Sequence, residues 1–320
     1  MDKKTNIWLL LAAGCLVVGC IIFAGVMSVL KWDFNKLSTV KYETNTYNLS
    51  EEIMSISLTT CTANVVLIPG EGENATVTCY EQKNEKHTVS VKDGTLTVQY
   101  TDTRKWYEHI GISFGATKIV ISIPGGEYGS LSIKSDTGNV EIPKDFTFES
   151  IDIREDTGKV TNRASASGAV KIKTTTGDIL VESISAGSMD LSVSTGKITA
   201  SEVTCTGDVK VGVSTGKTNL SGVKCKNLIS NGTTGSLSLK NVIATESFSL
   251  TRSTGDVVLD GCDAAQINAK TTTGSITGTL LSEKVFITST STGKIDVPKT
   301  LAGGKCELST STGNIKIKIQ

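Results

Sequence analysis

The chain has 320 residues, 32 basic and 32 acidic side chains, and a formal net charge of zero, with aromatic residues at only 5%. That balance, with no run of like charges, argues against a nucleic-acid partner. Glycine is abundant at 31 and proline scarce at 4, a bias of all-β chains with many tight turns.

The first element is apolar. Residues 7–30, "IWLLLAAGCLVVGCIIFAGVMSVL", carry no charge. At about 1.5 Å per residue they span a bilayer core of about 30 Å, longer than the apolar region of a cleaved signal. The reading is an uncleaved single-pass anchor, with residues 1–6 as a cytoplasmic tail and the bulk of the chain extracytoplasmic. "VVGC" offers a lipoprotein alternative with Cys20 as the lipidated residue, although mostly apolar residues continue beyond it. Lysines flank both ends of the segment, so the positive-inside count does not orient it; the short basic tail is the part more easily left inside.

Residues 31–45 read as a linker, and residues 46–130 as an irregular β segment that caps the periodic part of the chain. This segment contains "ISLTTCTANVVLI", "ATVTCYEQ", "HTVSVKDGTLTVQY" and "TKIVISIPGG". Asp93-Gly94 between two β-rich runs predicts a hairpin. Cys61 and Cys79 fall in runs read as neighbouring strands, close enough to pair in an oxidising compartment, although buried free thiols are the blander reading. No Cys-x-x-Cys or Cys/His zinc spacing is present, and no metal or cofactor is assigned. In "TDTRKWYEHIGISFG", Trp106, Tyr107 and His109 form the candidate contact loop.

From residue 131 to 320 the sequence is periodic. Thr-Gly recurs as Thr137-Gly138, Thr157-Gly158, Thr176-Gly177, Thr195-Gly196, Thr215-Gly216, Thr234-Gly235, Thr254-Gly255, Thr273-Gly274, Thr292-Gly293 and Thr312-Gly313, always 19 or 20 residues apart. Counted from each glycine, position −7 is apolar in all ten periods, and positions −5, +2 and +4 mostly so. Strand alternation on both sides of a bend, in a unit too short for a helix, predicts one rung of a parallel β-solenoid (β-helix) of about ten rungs. The glycine supplies the corner, and the threonine before it stacks along the rod.

"GVSTGKT" at 212–218 superficially matches a phosphate-binding loop. It is one residue short of the pattern and leads into β-formers without a helical stripe, so no nucleotide is expected. It is the fifth of ten corners, with Lys217 in a polar column and Thr218 in a buried one.

The [ST]-T-G-[DKNS]-[IV] rungs, with "DGTLTVQY" and "IVISIPGG" before them, resemble a bacterial domain family of unknown function labelled "putative adhesin", over about residues 46–320. The resemblance implies a β-solenoid in bacterial envelope proteins and supplies no catalytic residues. The function read here is a membrane-anchored, non-catalytic envelope protein presenting its solenoid to a cell-wall glycan or an envelope protein. Two alternatives are a polysaccharide-acting β-helix enzyme using stacked Asp136 and Asp156, and a self-assembling scaffold or stress-response component that exposes its last strand, "NIKIKIQ". Lys316 and Lys318 in that strand read as edge protection against such pairing. The oligomeric state is open.

Overall fold

A computed structural model describes residues 3–33, 36, 40–72, 74–104 and 115–320. One helix, Lys3–Val29, precedes the β structure, and its segment Ile7–Val29 is long and apolar enough to cross a membrane, with mean hydropathy 2.7. Among the described residues, everything regular after residue 41 is strand.

The repeat folds as a β-solenoid whose rungs have three sides. Positions −7, −5 and −3 face inward from the first, as in Met189, Leu191 and Val193; positions +2 and +4 do so from the second, as in Ile198 and Ala200. The third side is the stretch the repeat alignment leaves as a return loop. There Ile184/Ala186, Val203/Cys205 and Val223/Cys225 also point inward. It is reached through a second corner, where Ser183, Glu202, Gly222, Asn241 and Gly261 hold φ between 52° and 62°. Rungs pair in parallel and in register, for example Ile151↔Val170 and Met189↔Val209, so identical positions form columns about 4.8 Å apart along the rod. The interior is a single cluster running from Ile56 to Ile317.

The order of rungs in space departs from the order in sequence at both ends. Ser55–Thr62 and Asn64–Pro69 form two sides of a further rung, with Thr62 against Thr137 and Val65 against Val140. Ala63 occupies its corner, which is why the Thr-Gly signature misses it. This rung sits between the rung at 126–142 and a layer formed by Thr95–Asp102 and Lys118–Ile123. Beyond that layer lie the antiparallel strands Tyr42–Leu49, Ala75–Gln82 and Glu85–Lys92. The Glu85–Lys92 strand turns into Thr95–Asp102 through Asp93 and Gly94, both at positive φ, as the hairpin signal predicts. Cys61 and Cys79 are not on neighbouring strands, because Ser55–Thr62 pairs with 95–99 and 131–137 instead; both thiols are free.

At the other end the expectation of an exposed last strand fails. Gly304–Thr312 and Ile315–Ile319 insert between the rung of Gly274 and the rung of Gly293: Cys306 pairs with both Ile267 and Phe286, and Ile315 with both Ile276 and Ile295. Among the described residues, the outermost rung is therefore Lys284–Asp296, while Lys316 and Lys318 point away from the rod axis. All these strands are parallel, so the chain keeps circulating in one sense while its advance along the axis reverses. The last turn thus winds with the opposite hand to the turns before it.

Candidate functional site

At the first corner, glycine answers two demands. The ten Thr-Gly glycines hold φ between 123° and 159°, a region that side chains disfavour. Each also packs onto the corner before it: a Cβ on Gly158 would lie 1.6 Å from the Gly138 carbonyl oxygen, and one on Gly216 would lie 1.7 Å from that of Gly196. The paired threonines are exposed and stack in register, and their carbonyls accept the N–H of the residue at a neighbouring corner, as in Gly138 N to Thr157 O and Ala63 N to Thr137 O, both at 3.0 Å.

The residue after the glycine makes a ladder of its own. Asn64 Oδ1 accepts the amide of Asn139 at 2.8 Å, Asn139 Oδ1 that of Lys159 at 2.9 Å, Asp178 Oδ1 that of Lys197 at 2.8 Å, and Asp256 Oδ1 that of Ser275 at 2.8 Å. Short polar side chains here satisfy a backbone N–H that the bend turns away from the regular ladder. In "GVSTGKT", the amides of Gly216 and Thr218 are bound to Thr234 O and Ser236 O. They are not free to cradle a phosphate, and Thr218 is fully buried.

The inward column at −3 carries what the apolar pattern conceals. In spatial order it reads Thr60, Ser135, Glu155, Thr174, Val193, Val213, Gly232, Arg252, Thr271, Thr310 and Thr290. Glu155 and Arg252 are both about 2% exposed. Arg252 lies over Gly232, where a Cβ would meet the guanidinium carbon at 2.9 Å, and donates to Thr251 O, Thr218 Oγ1 and Ser230 Oγ. No carboxylate pairs with it among the described ion pairs, and burial lowers its pKa to about 10. Among the described residues, neither Glu155 oxygen, nor Ser135 Oγ beside them, has a hydrogen-bond partner. Burial raises the Glu155 carboxyl to about 7; the nearby Ser135 hydroxyl and Thr157 backbone, too poorly placed to bond, offset this only in part. Only the mixed composition of the −3 column signals these two charges in the sequence.

Asp136 and Asp156, the carboxylates considered for glycan chemistry, stack in exposed positions beside the corner. Arg154 bonds Asp152, at 3.1 Å, rather than either of them. The outer surface offers shallow grooves instead. One of about 580 Å³ is floored by Tyr128 and Phe148, edged by Met54, and rimmed by Glu52, Asp93, Glu127 and Glu149. Trp106, Tyr107 and His109 lie outside the described residues.

A compact polar group lies where the antiparallel layer meets the stack. Glu81 Oε2 accepts from the His87 backbone N–H at 2.8 Å and lies 2.7 Å from His87 Nδ1. Asn45 Nδ2 donates to Glu81 Oε1 at 2.7 Å, and His87 Nε2 lies 2.9 Å from Thr60 Oγ1. Carboxylate, imidazole and hydroxyl succeed one another as in a hydrolytic triad. With Thr60 3% exposed, however, the hydroxyl faces the interior, and the group fastens the cap to the first rung.

These features define a class: a filled parallel β-solenoid whose variable chemistry is displayed on its outer faces. The chain belongs to the Toastrack DUF4097 family, whose model matches residues 53–213 and again 205–320. No curated protein matches it. Similar solved structures include a "putative adhesin" from Parabacteroides distasonis ATCC 8503, at 12% identity and TM-score 0.43, covering 85% of this chain and 98% of that one. Another is a "putative adhesin" from Bacteroides fragilis NCTC 9343, at 15% identity and TM-score 0.36, covering 87% and 97%. A third is a "putative lipid binding protein" from Parabacteroides distasonis ATCC 8503, at 14% identity and TM-score 0.32, covering 88% and 98%.

Proposed function

We propose that the protein is a single-pass membrane protein of the bacterial envelope, with residues 7–30 as its anchor, and that its solenoid lies outside the membrane as a non-catalytic binding rod. The observation that carries this reading is the division of labour within each rung. Inward positions are committed to a sealed core, while outward positions are free to vary on a rigid, registered lattice. Such a lattice suits an extended ligand, whose repeating groups meet repeating side chains. The ligand class is an envelope polymer or an envelope protein, met on the lateral faces, of which the groove of Tyr128 and Phe148 is one candidate contact.

The test has two arms. Protease shaving of intact cells should remove the solenoid while sparing cytoplasmic controls; protection in intact cells but not in lysed ones would place it inside. The detergent-solubilised protein should sediment with isolated cell walls or bind whole cells. Absence of binding to wall glycans, lipids and cells alike would defeat the binding reading.

A further inference from the structure

We propose that Cys79, Glu81 and His87 form a binding site for a borderline-soft divalent metal ion such as Zn²⁺, at the junction of the antiparallel cap and the first rung. The sequence offers no familiar zinc spacing, because the site is made by strand alternation and a hairpin. Cys79 and Glu81 are two residues apart on one strand and point to the same, inward side. The strand turns back so that Glu85–Lys92 brings His87 over them. The thiol sulfur, a carboxylate oxygen and a ring nitrogen then all lie within 4.8 Å of one another, and all three residues are buried. Among the described residues, no other such group of three occurs.

Thiolate, imidazole and carboxylate form a donor set that suits zinc, whose ligand atoms stand about 3.3–3.7 Å apart in a tetrahedron; that spacing falls within the 4.8 Å that encloses the group, and Glu81 Oε2 and His87 Nδ1, hydrogen-bonded at 2.7 Å here, would part slightly to admit the ion. The surrounding hydrogen bonds are those a metal centre uses to aim its ligands. Asn45 holds Glu81 Oε1, leaving Oε2 toward the centre. Thr60 sits on His87 Nε2, leaving Nδ1 toward the centre. The Tyr47 hydroxyl donates to the His87 carbonyl at 3.1 Å and helps to fix the strand that carries the imidazole. Coordination by the sulfur releases the thiol proton to solvent. Bound metal would join the cap strand, the hairpin and, through Thr60, the first rung.

The experiment uses the full chain, purified in detergent and stripped with a chelator. Co²⁺ should bind one per chain and produce a near-ultraviolet thiolate-to-cobalt absorption band, displaced by Zn²⁺, and Zn²⁺ should raise the Tm. Cys79→Ser should abolish the band. Asn45→Ala keeps all three ligands and should weaken Co²⁺ binding about 10- to 100-fold. A band that survives Cys79→Ser, or wild-type protein with neither band nor Zn²⁺-dependent Tm shift, overturns the proposal and leaves Glu81–His87 as a polar clamp. If Cys79→Ser does not fold, as shown by a lost cooperative melt without metal, the Asn45→Ala affinity decides: unchanged binding overturns the site.

Discussion

Asn314 accepts the backbone N–H of Lys294 through Oδ1 at 2.9 Å, while its own N–H is bound by Ser275 Oγ at 3.2 Å. Residue 314 therefore sits between 275 and 294, although it comes after both in sequence. The corner ladder thus records the inversion independently of the strand pairing. Removing residues 304–320 should leave the rungs of Gly274 and Gly293 without the strands between them, exposing two parallel edges where the intact protein has one. We expect a lower Tm and aggregation detectable by light scattering. A truncated protein that melts and scatters like the full chain would contradict the inserted order.

The two glycines of "GVSTGKT" should behave oppositely. Gly216→Ala places a Cβ 1.7 Å from the Gly196 carbonyl oxygen at φ +142°, and should cost about 3 kcal/mol or more in denaturant unfolding. At Gly212 the nearest atom to a Cβ is Ser192 Oγ at 3.7 Å, so Gly212→Ala should be within about 1 kcal/mol of neutral or mildly stabilising. A phosphate-binding loop would instead make both substitutions matter through nucleotide affinity.

Glu155 should make stability fall as pH rises. Its folded pKa of about 7 lies above the unfolded value of 4.5, so the cost of burying its charge is absent below about pH 4.5, develops between the two values and is complete above about pH 7. The gap corresponds to about 3 kcal/mol. Ser135 and Thr174 flank it along the column, and Asp136 and Asp156 add like charge. Glu155→Gln should flatten the pH dependence of Tm between pH 5 and 8 and stabilise the protein most at pH 8. An unchanged slope would remove Glu155 as its source.

Arg252 and Gly232 should be energetically coupled. Gly232→Val alone forces the guanidinium out of its resting place and should destabilise by about 2 kcal/mol or more. Combined with Arg252→Thr, it restores a column of Val and Thr like its neighbours. A double-mutant cycle should give a coupling of about 1 kcal/mol or larger, and strict additivity would show that the two do not share the space.

The repeat was readable because a solenoid repeats its physics: each rung meets the same neighbours, so glycine at the corner and apolar residues at −7, −5, +2 and +4 recur. What escaped were places where one position departs from its column. Ala63 replaces a corner glycine and hides a rung; Glu155 and Arg252 occupy a buried column that tolerates polar residues; and the third side has no invariant residue to mark it. The Cys79, Glu81 and His87 group escaped for another reason. Its members meet only through a hairpin in the non-repeating cap, and a period carries no information about a segment that does not repeat.

The reversal at both ends bears on how the molecule is made. A ribosome delivers rungs in sequence order, and a simple stack could add each to the last as it emerges. Here the rung of residues 55–69 acquires its two neighbours only after residue 142 has been synthesised, and the rung of Gly274 waits for the strands that come after Lys284–Asp296. The central rungs can zip up progressively, whereas each end closes by wedging a segment into a prepared gap. Closure of that end is therefore a discrete event, and residues 304–320 act as a latch that can shut only after the rung of Lys284–Asp296 has been made.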